Sequence, residues 1–310
     1  MRIAAIDIGT NTVLLLVAEV DDREIITPIA YEQRIPRLGK DVDARRVIGK
    51  PAFERVAGVL REYKAICEPL KPDRIAAVGT SAVRDAANRE EFVSFIKAQT
   101  GIGIEILNGE EEARLAYFGA LSGIRTQSAN FGVIDIGGGS TEIVTGTRED
   151  IRNKITVNIG SVQLTERFLR HDPPTAPELE KATKLVAKAL GSLPQFDFRN
   201  TVVVGVAGTA TTLAALDQGL KEFDREKITG YRLTKPATTN LFTKLQKMKT
   251  DEIRSLSAVT HGRADILTAG TLILYSFMER TGVVEITVSE RGVRYGLVLR
   301  EWRRGITNNG

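Results

Sequence analysis

Cysteine is almost missing from this chain: Cys67 stands alone among 310 residues. An intramolecular disulfide is therefore excluded, and so are the small secreted scaffolds that replace a core with cross-links. Histidine is nearly as scarce. His171 and His261 are 90 positions apart with no metal-ligand partner at useful spacing, which leaves both as structural or exposed side chains. No long hydrophobic run is present either. The longest near the N-terminus, 13–18, falls far short of the about 20 residues that a membrane helix needs. Met1 leads into a strand-like run containing Asp7, not into a basic segment with an apolar signal core, and the expected compartment is the cytoplasm.

What is present is an ordinary globular balance of 42% hydrophobic and 26% charged residues, which leaves no room for a collagen-like, disordered or membrane class. A chain this long is more than one hydrophobic core serves, so two domains of roughly 130 to 180 residues are expected. The net charge of +4 is uneven. Residues 1–125 hold 18 Lys and Arg against 19 Asp and Glu, and residues 126–310 hold 25 against 20, a surplus of five. Such a surplus suits an anionic ligand and equally suits a solvated basic surface, so charge alone assigns nothing.

An internal repeat organises the rest. The segment 6–13, Ile-Asp-Ile-Gly-Thr-Asn-Thr-Val, aligns without gaps to 134–141, Ile-Asp-Ile-Gly-Gly-Gly-Ser-Thr, and Asp135 lies 128 positions after Asp7. Each copy reads as an apolar strand ending in Asp-Ile-Gly, a tight polar turn and a returning strand, 14–20 and 142–146. Around them strand and helix patterns alternate, as in α/β domains. Helices are expected over 51–67, 92–100, 110–122, 161–169, 178–193, 209–218, 263–280 and 292–302, and strands over 75–79, 104–107, 201–206 and 283–288. The polar stretch 127–130 marks the boundary, giving domains 1–126 and 127–310, with the closing helix near 292–303 able to pack back on the first.

Asp7 and Asp135 end equivalent strands, so a cleft between the repeats would bring two carboxylates toward one place. Hydrated Mg²⁺ suits that arrangement, because it is held by one or two carboxylates together with phosphate oxygens and water. The turns Gly9, Thr10, Asn11, Thr12 and Gly137, Gly138, Gly139, Ser140, Thr141 can present successive backbone N–H groups and hydroxyls to a phosphate. One such turn is as readily a plain hairpin; two matched copies favour phosphate. Gly208 and Thr209 open a helix after a strand and could face an anion or nucleotide, or be structural. Arg84 follows the strand 75–79 and reads as a phosphate clamp, or as an ion-pair partner of Asp85 or Glu90. Glu110, Glu111 and Glu112 open a helix, where acidic residues complement the helix dipole. One of the three could be a base, and periodicity does not choose among them.

Taken in order, the segments 6–12, 79–88 (GTSAVRDAAN), 109–119 (GEEEARLAYFG), 134–142 (IDIGGGSTE), 205–213 (GVAGTATTL), 263–270 (RADILTAG) and 289–296 (SERGVRYG) resemble the exopolyphosphatase/guanosine-pentaphosphate phosphohydrolase family. The resemblance spans nearly the whole chain. It implies two actin-like (ribonuclease H-like) domains with a cleft between them, and hydrolysis of phosphoanhydride bonds in inorganic polyphosphate or guanosine pentaphosphate. It implies Glu112 as the catalytic residue and Asp7, Asp135 and Glu142 as metal ligands. Mg²⁺ or another divalent cation is the expected cofactor. The resemblance leaves room for stimulation by a monovalent cation and for a homodimer, and gives no reason to expect nucleic acid or membrane as a partner. Two features depart from the pattern: Leu14 stands where many members carry arginine, and the chain stops after the two domains, where long members continue into a helical region. The first removes one cationic contact to substrate and weakens the guanosine-pentaphosphate reading; the second implies a shorter groove that favours shorter polyphosphates. A small-molecule kinase of the same superfamily and an alarmone-binding regulator are the competing readings.

Overall fold

The β-rich repeat forms the centre of two sheets in the computed structural model, which describes residues 1–40, 42 and 46–307. The chain divides into two compact units, Met1–Ser122 with Arg291–Gly310, and Gly123–Glu290. The division at 122/123 lies a few residues before the 126/127 boundary read from sequence, and the last segment belongs with the first unit.

In the first unit, strands β1 (Arg2–Ile8), β2 (Val13–Val20), β3 (Ile26–Arg34), β4 (Arg74–Gly79) and β5 (Ile104–Ile106) form a sheet of order β3-β2-β1-β4-β5. β1 pairs antiparallel with β2 and parallel with β4, and β2 pairs antiparallel with β3. Side chains alternate between the two faces of a strand. Ala4, Ile6 and Ile8 therefore enter one core with Phe53, Val56, Leu60, Tyr63 and Cys67 of the helix Lys50–Leu70 and Phe92 and Ile96 of the helix Arg89–Thr100. Ile3 and Ala5 enter a second core with Leu115 and Ala116 of the helix Gly109–Leu121 and Tyr295, Leu297, Val298 and Trp302 of the helix Val293–Thr307. Asp7 continues the Ile3–Ala5 row and faces that second pair of helices.

Those two helices approach with their backbones in contact. A Cβ on Gly119 would lie 2.1 Å from Gly292 O, and one on Gly296 would lie 2.1 Å from Leu115 O, so both positions require glycine for space. The approach sets the lateral positions of Glu112 and Arg294, which sit on these helices.

In the second unit, β6 (Phe131–Ile136), β7 (Thr141–Gly146), β8 (Ile151–Val157), β9 (Val202–Val206), β10 (Arg232–Thr234) and β11 (Glu285–Val288) form a sheet of order β10-β11-β9-β6-β7-β8. Its β8-β7-β6-β9-β11 portion repeats the order and strand senses of the first sheet, with β10 added antiparallel at the edge. Both units thus have the actin-like, ribonuclease H-like arrangement. Helices Ser161–Phe168, Ala176–Ala189, Ala207–Asp217, Lys235–Leu245 and Ala264–Thr281 pack in a core with Ile134, Ile136 and Ile143 of the sheet. The expected helix over 178–193 starts earlier and ends at Ala189, where the chain tightens into a 3₁₀ turn over Leu190–Gln195. Among the described residues, no helix is long and apolar enough to cross a membrane.

Candidate functional site

The two hairpins are built alike. Asp7 pairs with Leu14 and Asp135 with Glu142 in equivalent ladder positions. Each tip is closed by one backbone hydrogen bond, Gly9 N to Thr12 O at 2.9 Å and Gly137 N to Ser140 O at 3.0 Å. In the first tip, the carbonyls of Thr10 and Asn11 accept from Gly39 N at 2.7 Å and Arg37 N at 3.1 Å. In the second, the carbonyl of Gly137 accepts from Ser161 N at 2.9 Å, and that of Gly138 from Val162 N at 2.9 Å and Gln163 N at 3.1 Å. A trans peptide is planar, with its N–H antiparallel to its C=O. Tying down two successive carbonyls therefore aims two successive N–H groups the other way: Asn11 and Thr12 in one tip, Gly138 and Gly139 in the other. Successive N–H groups on one side of a turn form a concavity suited to an anion.

Beside the first tip lies a cluster of charge. Asp7 is half-buried as a residue, yet its Oδ1 is shut away from solvent without a hydrogen-bond partner among the described residues. Burial pushes its carboxyl up to about 7; the negative charge of Glu112 adds to the rise, and Arg294 opposes it. Glu112 lies in the first turn of its helix, whose N-cap Asn108 accepts a hydrogen bond from Glu111 N at 2.8 Å. Glu112 is buried while Glu110 is exposed and Glu111 is half-buried, so the structure separates three residues that the sequence leaves equivalent. Arg84 Nη1 donates to Glu112 Oε2 at 2.5 Å and to Leu107 O at 3.3 Å. Burial raises the Glu112 carboxyl above its ordinary range, and Arg84 pulls against that rise. The arginine expected as a phosphate clamp thus holds Glu112, an ion pair different from the Asp85 or Glu90 contacts considered from sequence, although Asp85 Oδ1 lies 3.7 Å from Arg84 Nε. Arg294 is also buried, with its guanidinium 4.3 Å from the Tyr31 ring centroid. It sits within the SERGVRYG segment, but nothing in that string marks it as facing Asp7; the fold does.

In the second unit, Asp135 and Glu142 are both buried and share a sheet face, opposite Ile134 and Ile143. Ser140 is buried; Thr141 is fully buried, and its hydroxyl donates to Ile159 O at 2.7 Å, so its expected phosphate contact is left without that proton. Gly208 and Thr209 open the helix Ala207–Asp217. A Cβ at Gly208 would fall 1.1 Å from Arg263 Nη1, so this glycine lies directly against a guanidinium, and Thr209 is buried against Gly270.

For a divalent cation, the donor set is sparse. Among the described residues no three His, Cys, Asp or Glu side chains form a metal cage. The partnerless Asp7 Oδ1 still fits a hard cation that completes its shell with water and phosphate oxygens, as Mg²⁺ does.

Comparison with known proteins agrees with this organisation. The chain is 35% identical to Exopolyphosphatase 2 of Mycobacterium tuberculosis over 96% of its own length and 98% of that protein. It superimposes on a crystal structure of the Aquifex aeolicus Ppx/GppA family member with a TM-score of 0.83 at 32% identity, covering 98% of each chain. An exopolyphosphatase from Cytophaga hutchinsonii gives a TM-score of 0.88 at 26% identity, covering 96% of each. The profile of the Ppx/GppA phosphatase family matches residues 16–304, and the chain belongs to that family.

Proposed function

We propose that this chain is an exopolyphosphatase that releases terminal orthophosphate from inorganic polyphosphate by metal-assisted hydrolysis of the phosphoanhydride bond. The observation that carries the reading is the buried Glu112, held by Arg84 beside Asp7 and next to a hairpin whose tip N–H groups are turned outward together. Phosphoryl transfer asks little covalent chemistry of a protein; it requires positioning, charge neutralisation and a group that orients the attacking water. Glu112 takes the proton from that water as its oxygen bonds to the terminal phosphorus and the bridging P–O bond breaks. Its raised carboxyl makes it a stronger base than an exposed glutamate. Arg84 keeps the carboxylate oriented. Within each unit taken by itself, Asp7 in the first and Asp135 with Glu142 in the second are the carboxylates that would hold a divalent cation, with Mg²⁺ the first choice, and it would neutralise charge on phosphoryl oxygens. The tips at Gly9–Thr12 and Gly137–Ser140 hold phosphates through backbone N–H groups. Cys67 is a free buried thiol, in keeping with a cytoplasmic setting.

The test is phosphate release by the purified chain from polyphosphates of several lengths, guanosine pentaphosphate and ATP, with Mg²⁺ and without added acceptor. Release from polyphosphate in the absence of ATP is expected. Release that requires ATP and an acceptor would identify a kinase, and release from guanosine pentaphosphate alone would move the substrate to the alarmone.

A further inference from the structure

We propose that Gly39 and Gly160 are positioning residues that latch the two phosphate hairpins, fixing which way the tip N–H groups point. The latch rests on the phosphate-binding role proposed for those hairpins. Each glycine lies in the segment directly after the third strand of its own sheet, β3 in one unit and β8 in the other. A Cβ on Gly39 would lie 2.1 Å from Thr10 Cγ2 and 3.1 Å from Thr10 O. One on Gly160 would lie 2.3 Å from the carbonyl carbon of Gly138 and 2.4 Å from both Gly138 O and Gly139 N. Both glycines are needed for space, and at Gly160 the obstacle is backbone, which cannot step aside as a side chain can.

The hairpins do not need these segments to close, since each already has its own Gly9–Thr12 or Gly137–Ser140 bond. What the segments add is a pair of tied carbonyls, and hence the orientation of the two peptide planes at each tip. They are themselves anchored. In the first unit Leu38 is fully buried, Arg55 Nε donates to Pro36 O at 2.7 Å, and the chain turns through Arg37 in the left-handed region at φ 52°. In the second, Thr141 Oγ1 holds Ile159 O, and the first N–H groups of the helix Ser161–Phe168 are used on the tip carbonyls. Two dissimilar sequences, Pro-Arg-Leu-Gly-Lys and Ile-Gly-Ser-Val-Gln, thus tie the equivalent carbonyls of Thr10 and Gly138 from the same topological place, while the second tied carbonyl differs, Asn11 in one tip and Gly137 in the other. A packing accident would not recur in both repeats.

The experiment is calorimetric titration of tripolyphosphate with Mg²⁺ into the full chain carrying Glu112→Gln, alone and combined with Gly39→Ala or Gly160→Ala. Phosphate release and thermal melts are measured on the same latch variants with Glu112 intact. Each latch variant should melt cooperatively and bind tripolyphosphate at least about tenfold more weakly, with the rise in KM exceeding the fall in kcat. Gly103→Ala and Gly191→Ala, at glycines with open space around the added carbon, should bind like the parent. If a latch variant fails to fold, Ser161→Ala removes the Ser161 Oγ to Gly137 O bond of 3.2 Å without adding an atom. It should weaken binding about threefold, with Ser161→Thr restoring it. Parent-like affinity in folded latch variants, or in Ser161→Ala where those do not fold, overturns the latch. A wild-type chain that releases no phosphate while its Glu112→Gln form binds tripolyphosphate overturns the exopolyphosphatase reading alone, and the latch is then judged on binding. A parent that binds no tripolyphosphate overturns both.

Discussion

A carboxylate oxygen shut away from water without a donor opposes folding whenever the group is charged, and Asp7 Oδ1 is in that position. Its folded value of about 7 lies above its ordinary 3.8, so the fold favours the protonated form. The associated stability is fully present below the unfolded value, declines as pH rises from about 4 to about 7, and is gone above that. For the metal-free protein, Asp7→Asn should therefore raise the melting temperature above wild type at pH 8 and leave it unchanged near pH 3.5, in melts run with chelator. Mg²⁺ should narrow the gap at pH 8 by stabilising the charged carboxylate. A difference between the two proteins that does not vary with pH would remove Asp7 as the titrating group. Glu112 invites a kinetic test instead. Glutamine keeps its size and accepts the Arg84 hydrogen bond, but it cannot take a proton. Glu112→Gln should lower kcat by roughly 10²–10⁴-fold with little change in KM, while Glu110→Gln and Glu111→Gln remain active. A dead neighbour beside an active Glu112→Gln would reassign the base.

At the scale of elements, the two hairpins are visible in the sequence because short apolar strands flank conspicuous Gly and hydroxyl turns and because the pattern occurs twice. The helix Lys50–Leu70 is visible for the same kind of reason: Phe53, Val56, Leu60, Tyr63 and Cys67 recur at helical spacing, and all are buried. The third strands are not. β3 carries Pro28 and slips register between Val17 and Ala18 of its partner, and β8 meets a slip between Thr145 and Gly146. Edge strands tolerate proline and bulges, which erases their alternation. The latch segments, which start where those strands end, are invisible in the sequence for the same reason. So is the approach of Arg294 to Asp7, which depends on a helix from the far end of the chain. Composition also hides small reserves. Gly58 lies inside the helix Lys50–Leu70, and a Cβ there meets nothing within 4 Å. Gly58→Ala should stabilise the protein by about 0.5–1 kcal/mol, read from denaturant midpoints at constant slope. A loss of stability would mean that the helix does not run through this position.

For the whole molecule, the first unit is discontinuous: its sheet is made before residue 122, and one of the two helices covering its second face arrives after residue 290. The helix Val293–Thr307 buries Val293, Tyr295, Leu297, Val298, Leu299 and Trp302, the only tryptophan, in the core that contains Ile3, Ala5 and Leu16. At about 1.5–3 kcal/mol for each large apolar side chain, these six residues amount to roughly 9–18 kcal/mol, an upper range because the unfolded chain already buries some of that surface. A whole domain is stable by only about 5–15 kcal/mol. Among the ion pairs that the helix makes, Arg303 with Glu24 is largely exposed and adds little to that, while Arg300 with Glu105 and Glu301 with Arg74 are partly buried. A chain ending at Glu290 should therefore lose the first unit, with Ile3, Ala5, Leu16 and Val78 left uncovered. The second unit keeps every residue of its own core, which runs from Ile134 to Val288, and should stay folded. Hydrogen exchange reads the two units separately. In the truncated chain the amides of β1, β2 and β4 should exchange at unfolded rates, those of β6, β7 and β9 should remain protected, and phosphate release should be absent because Asp7 and Glu112 are no longer held. Adding residues 291–310 back as a peptide should restore protection in β1 in proportion to peptide concentration, since binding to the folded form alone stabilises it by mass action. Full protection of β1 in the truncated chain without the peptide would show that the first unit closes its core on one helix.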